Sequence, residues 1–485
     1  MPSSGLMRPV RFSLVSLGLV MAASATLPAQ ETPTERESAA NVVHTLDSLG
    51  KTLDIPQLVA QLTGPDAARD QVAARARELM DADLLAMGDD ITRHPEIGFT
   101  ETRSVKLLTD YLTAHDFTVT MGAPGLPTAF VARYNRNNGG PNLGVILEYD
   151  ALRGTKGAFH GDQHSTQGPI GMAAAIAVAE YLTRTHTPGS VTVFGTPGEE
   201  MMPPEAKTVM YNAHMFDGMG VIVRSHSSSA TTRPAAGFGT CCMNIDGVKY
   251  TFSGAPAHEL TAWNGRNALT AVIHLFDNID ALRSNMRPET RIQGIITEGG
   301  AAPNVVPDRT AADFYVRYPD EVYLAQVMAM VDDAARAAAL STGTKVKIDH
   351  YGENRDGISL GSLSELGFAY MKKYGGTGVV TDPGKPQGFE ETGSVSSQIP
   401  GVGFTAKTSN APNHTYEMEQ DALGPVGHAG FVVDAQAMAA LLYDFATHPA
   451  YRAVVKREFD VIHGLHGEYL DALRKTYVVP TVPEP

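Results

Sequence analysis

"NLGVILEYDALRGTKGAFHGDQHSTQGPIGMAAAIAVAEYL", Asn142 to Leu182, reads as three consecutive pieces. The first, "NLGVILEYD", is a short apolar run of strand length, and the last, "PIGMAAAIAVAEYL", is a small-residue helix packed through alanines. Between them, the Gly-rich stretch "GAFHGDQHSTQG" (Gly157–Gly168) carries His160, Asp162 and His164. A strand that passes to a helix through a polar loop is the unit of a parallel sheet. Ligands of such sheets collect at the carboxyl ends of the strands.

The same alternation extends in both directions. "SVKLLTDYLTAH" (Ser104–His115) is amphipathic, "SVTVFGTPGEE" (Ser190–Glu200) opens as a strand, "EAKTVMYNAHMF" (Glu205–Phe216) is helical, and "GVIVRSH" (Gly220–His226) is a strand. The expected fold is α/β, with a mostly parallel sheet covered by helices on both faces. Polar clusters after Tyr149, Phe194 and Val223 all follow strand ends.

The texture changes between Cys241 and His350. Its order is strand (Met243–Ser253), helix (Arg266–Leu282), strand (Thr290–Glu298), strand (Thr310–Arg317), helix (Glu321–Ala339), strand (Lys345–His350). This β-α-β-β-α-β order predicts a small ferredoxin-like α+β domain inserted into the larger one. The α/β texture then resumes with "LSELGFAYMKKYG", "GVGFTA" and a long helix from Gly424 to Phe445. The resulting division is 1–29 leader, 30–240 first part of the large domain, 241–350 small domain, and 351–485 second part. Residues 30 to about 75 are polar and helical in flavour.

The chain of 485 residues, 43% hydrophobic and 19% charged, has the composition of a globular protein with more than one domain. Its formal charge of −15 argues against nucleic acid, because no basic surface is available to displace counterions. Arg8 and Arg11 precede "FSLVSLGLVMAASATLPA", an apolar run shorter than a membrane span and followed by small residues. This reads as a secretory signal cleaved after Ala29, with Ala25 as the alternative, so export to the periplasm or the medium is expected without a remaining span. The adjacent Cys241 and Cys242 cannot make a disulfide framework and read as strand residues.

Each candidate site residue is weak alone. The adjacent Glu199 and Glu200 can be a solvated acidic loop, or a pair in which one carboxylate holds a metal while the other faces the reacting water. His226 at a strand end and His414 in "SNAPNHTYEM" can each be ordinary hydrogen-bonded histidines. Taken together, Asp162, His164, Glu200, His226 and His414 are the oxygen and nitrogen donors that suit Zn²⁺ or a similar borderline ion. Two metals sharing one carboxylate need about this many ligands.

In order along the chain, further motifs resemble the dinuclear zinc peptidases and amidohydrolases. That family includes aminoacylases, carboxypeptidase G, auxin-conjugate hydrolases and aminobenzoyl-glutamate hydrolase. The motifs are "RHPEIGFTET" (Arg93–Thr102), "EYDAL", "PGEE", "GAPAHELTAWNGRNAL" (Gly254–Leu269), "GGAAPNVVPDRTAADFYVR" (Gly299–Arg317) and "NHTYEM". The resemblance covers roughly Leu84 to Phe445, and "EETGSVSSQIP" is most similar to the aminobenzoyl-glutamate hydrolase branch.

The resemblance implies a site. The family's Cys-Gly-His-Asn tetrad falls on Asp162-Gln163-His164-Ser165. His164 thus becomes a terminal ligand, and Asp162 replaces a cysteine with the bridging aspartate of the carboxypeptidase branch. His160 has no counterpart in this alignment and is left beside the site or solvated, becoming a ligand only if the alignment shifts. Glu199 is implied as general base, and Glu200, His226 and His414 as the remaining ligands. Asp150 is implied to orient a ligand histidine. From the small domain, His258 is implied to reach a partner subunit's site and stabilise the oxyanion, with Asn304 and Arg317 gripping the substrate, although Arg317 also reads as a strand-end ion pair. Two Zn²⁺ per subunit are implied, with Mn²⁺ or Co²⁺ acceptable to the same donors, and a homodimer through the small domain acting as lid.

The expected activity is metal-dependent hydrolysis of the amide bond of an N-acyl or N-aroyl amino acid, or of a short peptide. The reaction uses a metal-activated water with a glutamate base. A dipeptidase or aminopeptidase of the same fold is one alternative and a metal-loaded binding protein without catalysis another. No Gly-x-Ser-x-Gly elbow supports a serine hydrolase.

Overall fold

The computed structural model describes residues 32–136, 139–201, 205–238, 244–386 and 393–476. The leader with Ala25 and Ala29, and Cys241 and Cys242, lie outside these residues.

The large sheet runs in the order Thr118–Ala123, Leu126–Arg136, Gly189–Gly195, Asn142–Leu147, Val221–Ser225, Gly401–Phe404. The last four strands are parallel. Their central members are buried on both faces, which is why they read as unbroken apolar runs. The first two strands are an antiparallel pair at one edge, which the alternation of strands and helices did not predict. They turn at Pro124–Gly125, where Gly125 takes φ +73°, a conformation that suits glycine.

The helix His164–Thr185 begins five residues before the alanine-rich run that announced it, so His164 itself sits in the first turn. It lies very close to the sheet. A Cβ on Gly171 would stand 2.3 Å from the Leu147 side chain, and one on Gly168 would stand 2.5 Å from Leu108. This close approach sets the height of His164 relative to the end of the Asn142–Leu147 strand. The helix Pro425–Thr447 packs on the same side. It is long and apolar enough to cross a bilayer but is almost wholly buried in the core. On the opposite face, Ile146, Phe194 and Ile222 meet Met210, Phe216, Val395 and Ile399.

The second sheet is antiparallel, in the order Arg291–Glu298, Arg309–Tyr318, Asn244–Ser253, Lys345–Asn354. Helices Ala268–Leu282 and Glu321–Thr342 cover one face through Val272, Leu275, Leu324 and Val327 against Val248, Tyr250, Phe252 and Phe314. Ile295 and Ile296 stay exposed on its edge strand.

Helices near both ends of the chain complete the fold. Pro33–Leu53 and Pro449–Thr476 pack along each other. Both tie to the small domain, through Glu35 to Arg287 at 2.7 Å and Arg474 to Glu321 at 2.9 Å. Inside the large domain, Arg69 from the helix Ala67–Leu79 meets the buried Asp444 at 3.4 Å and lies over the Tyr370 ring, whose hydroxyl donates to the same carboxylate.

Arg69→Met leaves Asp444 buried without its cation. The expected loss is about 3–5 kcal/mol of unfolding free energy in a urea titration. A loss below about 1 kcal/mol would show that the pair does not hold these helices together.

Candidate functional site

The strand ends converge on one group of side chains. Asp150 stands just past the Asn142–Leu147 strand and is buried. Its Oδ1 lies 3.0 Å from His164 Nδ1, and its Oδ2 accepts the Glu200 backbone N–H at 2.9 Å. One carboxylate thereby couples the loop after the first strand to the loop after the second. It also holds Nδ1 as a donor, which directs Nε2 into the site.

Asp162 is 8% exposed, with Oδ2 3.0 Å from His414 Nε2. His414 Nε2 also lies 3.9 Å from Glu200 Oε2. The rings of His164 and His226 meet edge-on at 5.6 Å between centroids, and His226 Nδ1 lies 3.2 Å from the Ser227 carbonyl oxygen. Two ligand triplets result, Asp162–His164–Glu200 and Glu148–His164–His226, in each of which the donor atoms lie within 4.8 Å of one another. They share His164. Backbone conformation helps set this geometry. Gln163, between Asp162 and His164, has φ 55°, and His414 has φ 62°, its N–H donating to the Gly161 carbonyl at 2.9 Å.

Two buried atoms of this group, His164 Nε2 and Asp162 Oδ1, have no hydrogen-bond partner among the described residues. Unsatisfied buried polar atoms are rare, and two beside histidines and carboxylates suit a cation that would accept their lone pairs.

The electrostatics are those of crowded like charge. Burial, with Asp162 and Asp150 nearby, pushes Glu200 up to about 7 despite His164. Burial pulls the His164 ring down, but Glu148 and Asp150 outweigh it and raise the ring to about 10. Burial favours a neutral Asp162, yet His414, His226 and His164 outweigh it and hold the carboxyl below the usual carboxylate range. The hydrogen bond to Asp162 raises His414.

Glu199 is half-buried on the short turn Glu199–Met201 that also carries Glu200. His160 is neither solvated nor in either triplet. It is 1% exposed, both ring nitrogens lack hydrogen bonds among the described residues, and burial lowers it to about 3, so it is a neutral ring beside the site. The alignment placed nothing opposite it, and only packing reveals that it is enclosed.

Two acidic residues went unassigned in the sequence. Glu148 is fully buried and lies 3.4 Å from His164 Nε2. Glu101 accepts from Thr128 Oγ1 at 2.7 Å and from the Gly198 N–H at 2.9 Å, anchoring the turn before Glu199, and burial raises it to about 7. Both occur in motifs quoted above, and for Glu148 the available signal was an acidic residue inside an apolar stretch.

On the small domain, His258 and Asn304 are adjacent. The Glu259 N–H donates to the Asn304 carbonyl at 3.2 Å, and His258 bridges to Val305. His258 is exposed, and its Nδ1 accepts the Leu260 N–H at 3.1 Å, which leaves Nε2 as the ring nitrogen that can donate. Arg317 is not with them. It pairs with Ile245 at the end of the sheet where the chain enters from the large domain. Arg309 lies at the His258 end of the same strand, so the separation is on the order of 25 Å.

Comparisons with known proteins agree with this architecture. The family described as Peptidase dimerisation domain (M20_dimer) matches residues 243–342. The chain is 28% identical over 397 residues to Xaa-Arg dipeptidase of Homo sapiens, covering 78% of this chain and 88% of that protein. It is 31% identical over 277 residues to one of the subunits of p-aminobenzoyl-glutamate hydrolase of Escherichia coli (strain K12), covering 54% of this chain and 56% of the other. In fold it is similar to Bacillus subtilis YXEP, described as a dinuclear metal binding peptidase from the M20 family. The TM-score is 0.51 at 16% identity, over 76% of this chain and 99% of that one.

Glu200 near 7 and His164 near 10 must each give up a proton before they can ligate. Affinity of the metal-free protein for an added divalent ion is therefore expected to rise with pH in calorimetry, by more than tenfold per unit below pH 7, where both groups hold their protons, and by about tenfold per unit near pH 8, where only His164 does. Affinity that does not change with pH would remove these two side chains from the ligand set.

Proposed function

We propose that the chain is a metallopeptidase or amidohydrolase of the M20 type, which hydrolyses the amide bond of an N-acyl or N-aroyl amino acid, or of a short peptide, and releases a free amino acid. The matched M20 dimerisation domain and the similarity to Xaa-Arg dipeptidase and p-aminobenzoyl-glutamate hydrolase support this reading. The observation that carries this reading is the convergence of Asp162, His164, Glu200, His226 and His414, with His164 Nε2 and Asp162 Oδ1 buried and without a hydrogen-bond partner among the described residues. These five residues would hold two divalent ions, and Zn²⁺ suits the mixed imidazole and carboxylate set, with Mn²⁺ or Co²⁺ acceptable to the same donors. Such ions, when bound, polarise a carbonyl and acidify a water molecule.

The chain's own groups do the rest. Glu199 shares its turn with Glu200, and side chains of neighbouring residues diverge, so its carboxylate is placed to take a proton from the attacking water and return it to the leaving nitrogen. Asp150 keeps His164 and the Glu200 backbone in register during this exchange. His258, with Nε2 left to donate, suits the developing oxyanion as a donor. We assign it to the site of a second copy in a homodimer formed through the small domain. Asn304, beside it, would contact the same substrate. Arg317, near the hinge, offers two parallel donors to the substrate carboxylate and would act from its own subunit. Export behind the leader, to the periplasm or the medium, completes the proposal. Similarity to Xaa-Arg dipeptidase favours a dipeptide as the second reading of the substrate.

Glu199→Gln is expected to keep its metal by elemental analysis while turnover falls by about 10²–10⁴-fold. Unchanged turnover would remove the assigned base. Mixing inactive Glu199→Gln and His258→Ala proteins under conditions of subunit exchange should restore about a quarter of wild-type activity, because half of the dimers are mixed and each holds one complete site. No recovery despite proven exchange would place His258 in its own subunit's site. Amino-acid release from acyl amino acids and dipeptides, each paired with its carboxyl-amidated twin, tests Arg317. Equal cleavage of acid and amide would exclude the carboxylate clamp.

A further inference from the structure

Behind the histidines lies a carboxylate to which the reaction assigns no step. Glu148 follows the Asn142–Leu147 strand and is fully buried. Its Oε1 accepts from Lys207 Nζ at 2.6 Å and from an Arg224 guanidinium nitrogen at 2.8 Å. Its Oε2 accepts from Gln167 Nε2 at 2.8 Å and lies 3.4 Å from His164 Nε2. Lys207 and Arg224 are each only 1% exposed.

One donor lies on the element that carries His164, and the other two lie on elements that follow or precede a candidate ligand in the chain. Gln167 is one turn along the helix that begins at His164. Lys207 is on the helix Ala206–Asn212, after the Glu199–Glu200 turn. Arg224 lies in the strand Val221–Ser225 that ends just before His226. A charge buried without its partner is strongly unfavourable, so none of these elements can shift independently without stranding Glu148 or one of the two cations in the core.

We infer that Glu148 is a positioning residue, a clasp that holds the helix bearing His164, the strand leading to His226 and the helix following the Glu199–Glu200 turn in register so that the donor atoms converge before a metal arrives. This rests on the function proposed above. Glu148 falls within one of the two ligand triplets, but three donors already take both of its oxygens, which favours the clasp over direct ligation. The buried Arg69–Asp444–Tyr370 group has similar chemistry on helices that carry none of the five ligands, so it serves as the control for a purely structural effect.

The test uses the whole chain with Co²⁺ as the probe. Its visible absorption reports ligand geometry, and its affinity for the metal-free protein is read by calorimetry. Glu148→Gln keeps the shape and removes the charge. Glu148→Gln combined with Lys207→Met also removes one cation and keeps the test usable if the single variant fails to fold. The expected result is Co²⁺ binding weakened by about 10–100-fold in both variants, with an altered visible spectrum. The accompanying kcat should fall while KM stays within about twofold. The double variant should recover part of the urea midpoint, since Arg224 still lacks its carboxylate, but not the affinity or the spectrum. Arg69→Met should lower the urea midpoint and leave the Co²⁺ spectrum unchanged.

Wild-type affinity and spectrum in Glu148→Gln would overturn the clasp. So would a double variant that regains both along with its stability, since that would make the effect one of folding. A wild-type chain that takes up no Co²⁺ would overturn the hydrolase reading, and the clasp with it. Co²⁺ binding that is identical in the wild-type chain and the variants would overturn the clasp alone.

Discussion

Like charges crowded into a nearly dry space are the constraint on which the rest of this structure depends. Glu148, Asp150, Asp162 and Glu200 meet at the carboxyl ends of adjacent strands, where little solvent can spread their charge. Lys207 and Arg224 neutralise Glu148 from behind, and Asp150 is committed to His164 and the Glu200 backbone. Asp162 and Glu200 are left facing histidines whose own state depends on them. Side chains that repel one another stay in place only because their backbones are over-determined. The helix glycines that allow close packing on Leu147 and Leu108, and the left-handed turns at Gln163 and His414, supply that rigidity.

The small domain answers a different need. Its two helices cover one face of an antiparallel sheet, so it has its own apolar core. Its functional candidates are divided between the two ends of the sheet, His258 and Asn304 at one and Arg317 at the other. A substrate held at the hinge by its own subunit and at the far end by a second copy would use both ends, and a monomer would use only one. The terminal helices Pro33–Leu53 and Pro449–Thr476 bind this domain to the large one through Glu35–Arg287 and Arg474–Glu321. These pairs join the small domain to helices outside the large sheet.

Much of this could be read from the chain itself. The runs "GVIL", "SVTVFG" and "VIVRS" are apolar because they are buried on both faces of a parallel sheet, and that demand leaves a mark in every residue. The order of periods from Asn244 to Asn354 is equally local, since a β-α-β-β-α-β order packs well in few other ways. Asp162, His164, Glu200, His226 and His414 were legible as a set because each lies near a strand end or in an irregular turn, where a polar residue needs a reason to be. The antiparallel edge was missed because no residue of its outer strand, Thr118–Ala123, is buried, so that strand carries a weak apolar signal. The helix start at His164 was missed because His-Ser-Thr-Gln has no helical pattern of its own and is helical through its contacts with the sheet.

Local periodicity and residue chemistry therefore determined, without any structure, that this is an α/β chain with an inserted α+β domain and a set of metal-type donors at its strand ends. What only the tertiary structure decided is which groups share an environment. His160 became a buried neutral ring, Glu148 gathered Lys207, Arg224 and Gln167, and Arg317 separated from His258. The physical reason is that burial and pairing are properties of distances between segments far apart in the chain. The sequence records each partner, but the contact between them exists only once the strands and helices have packed.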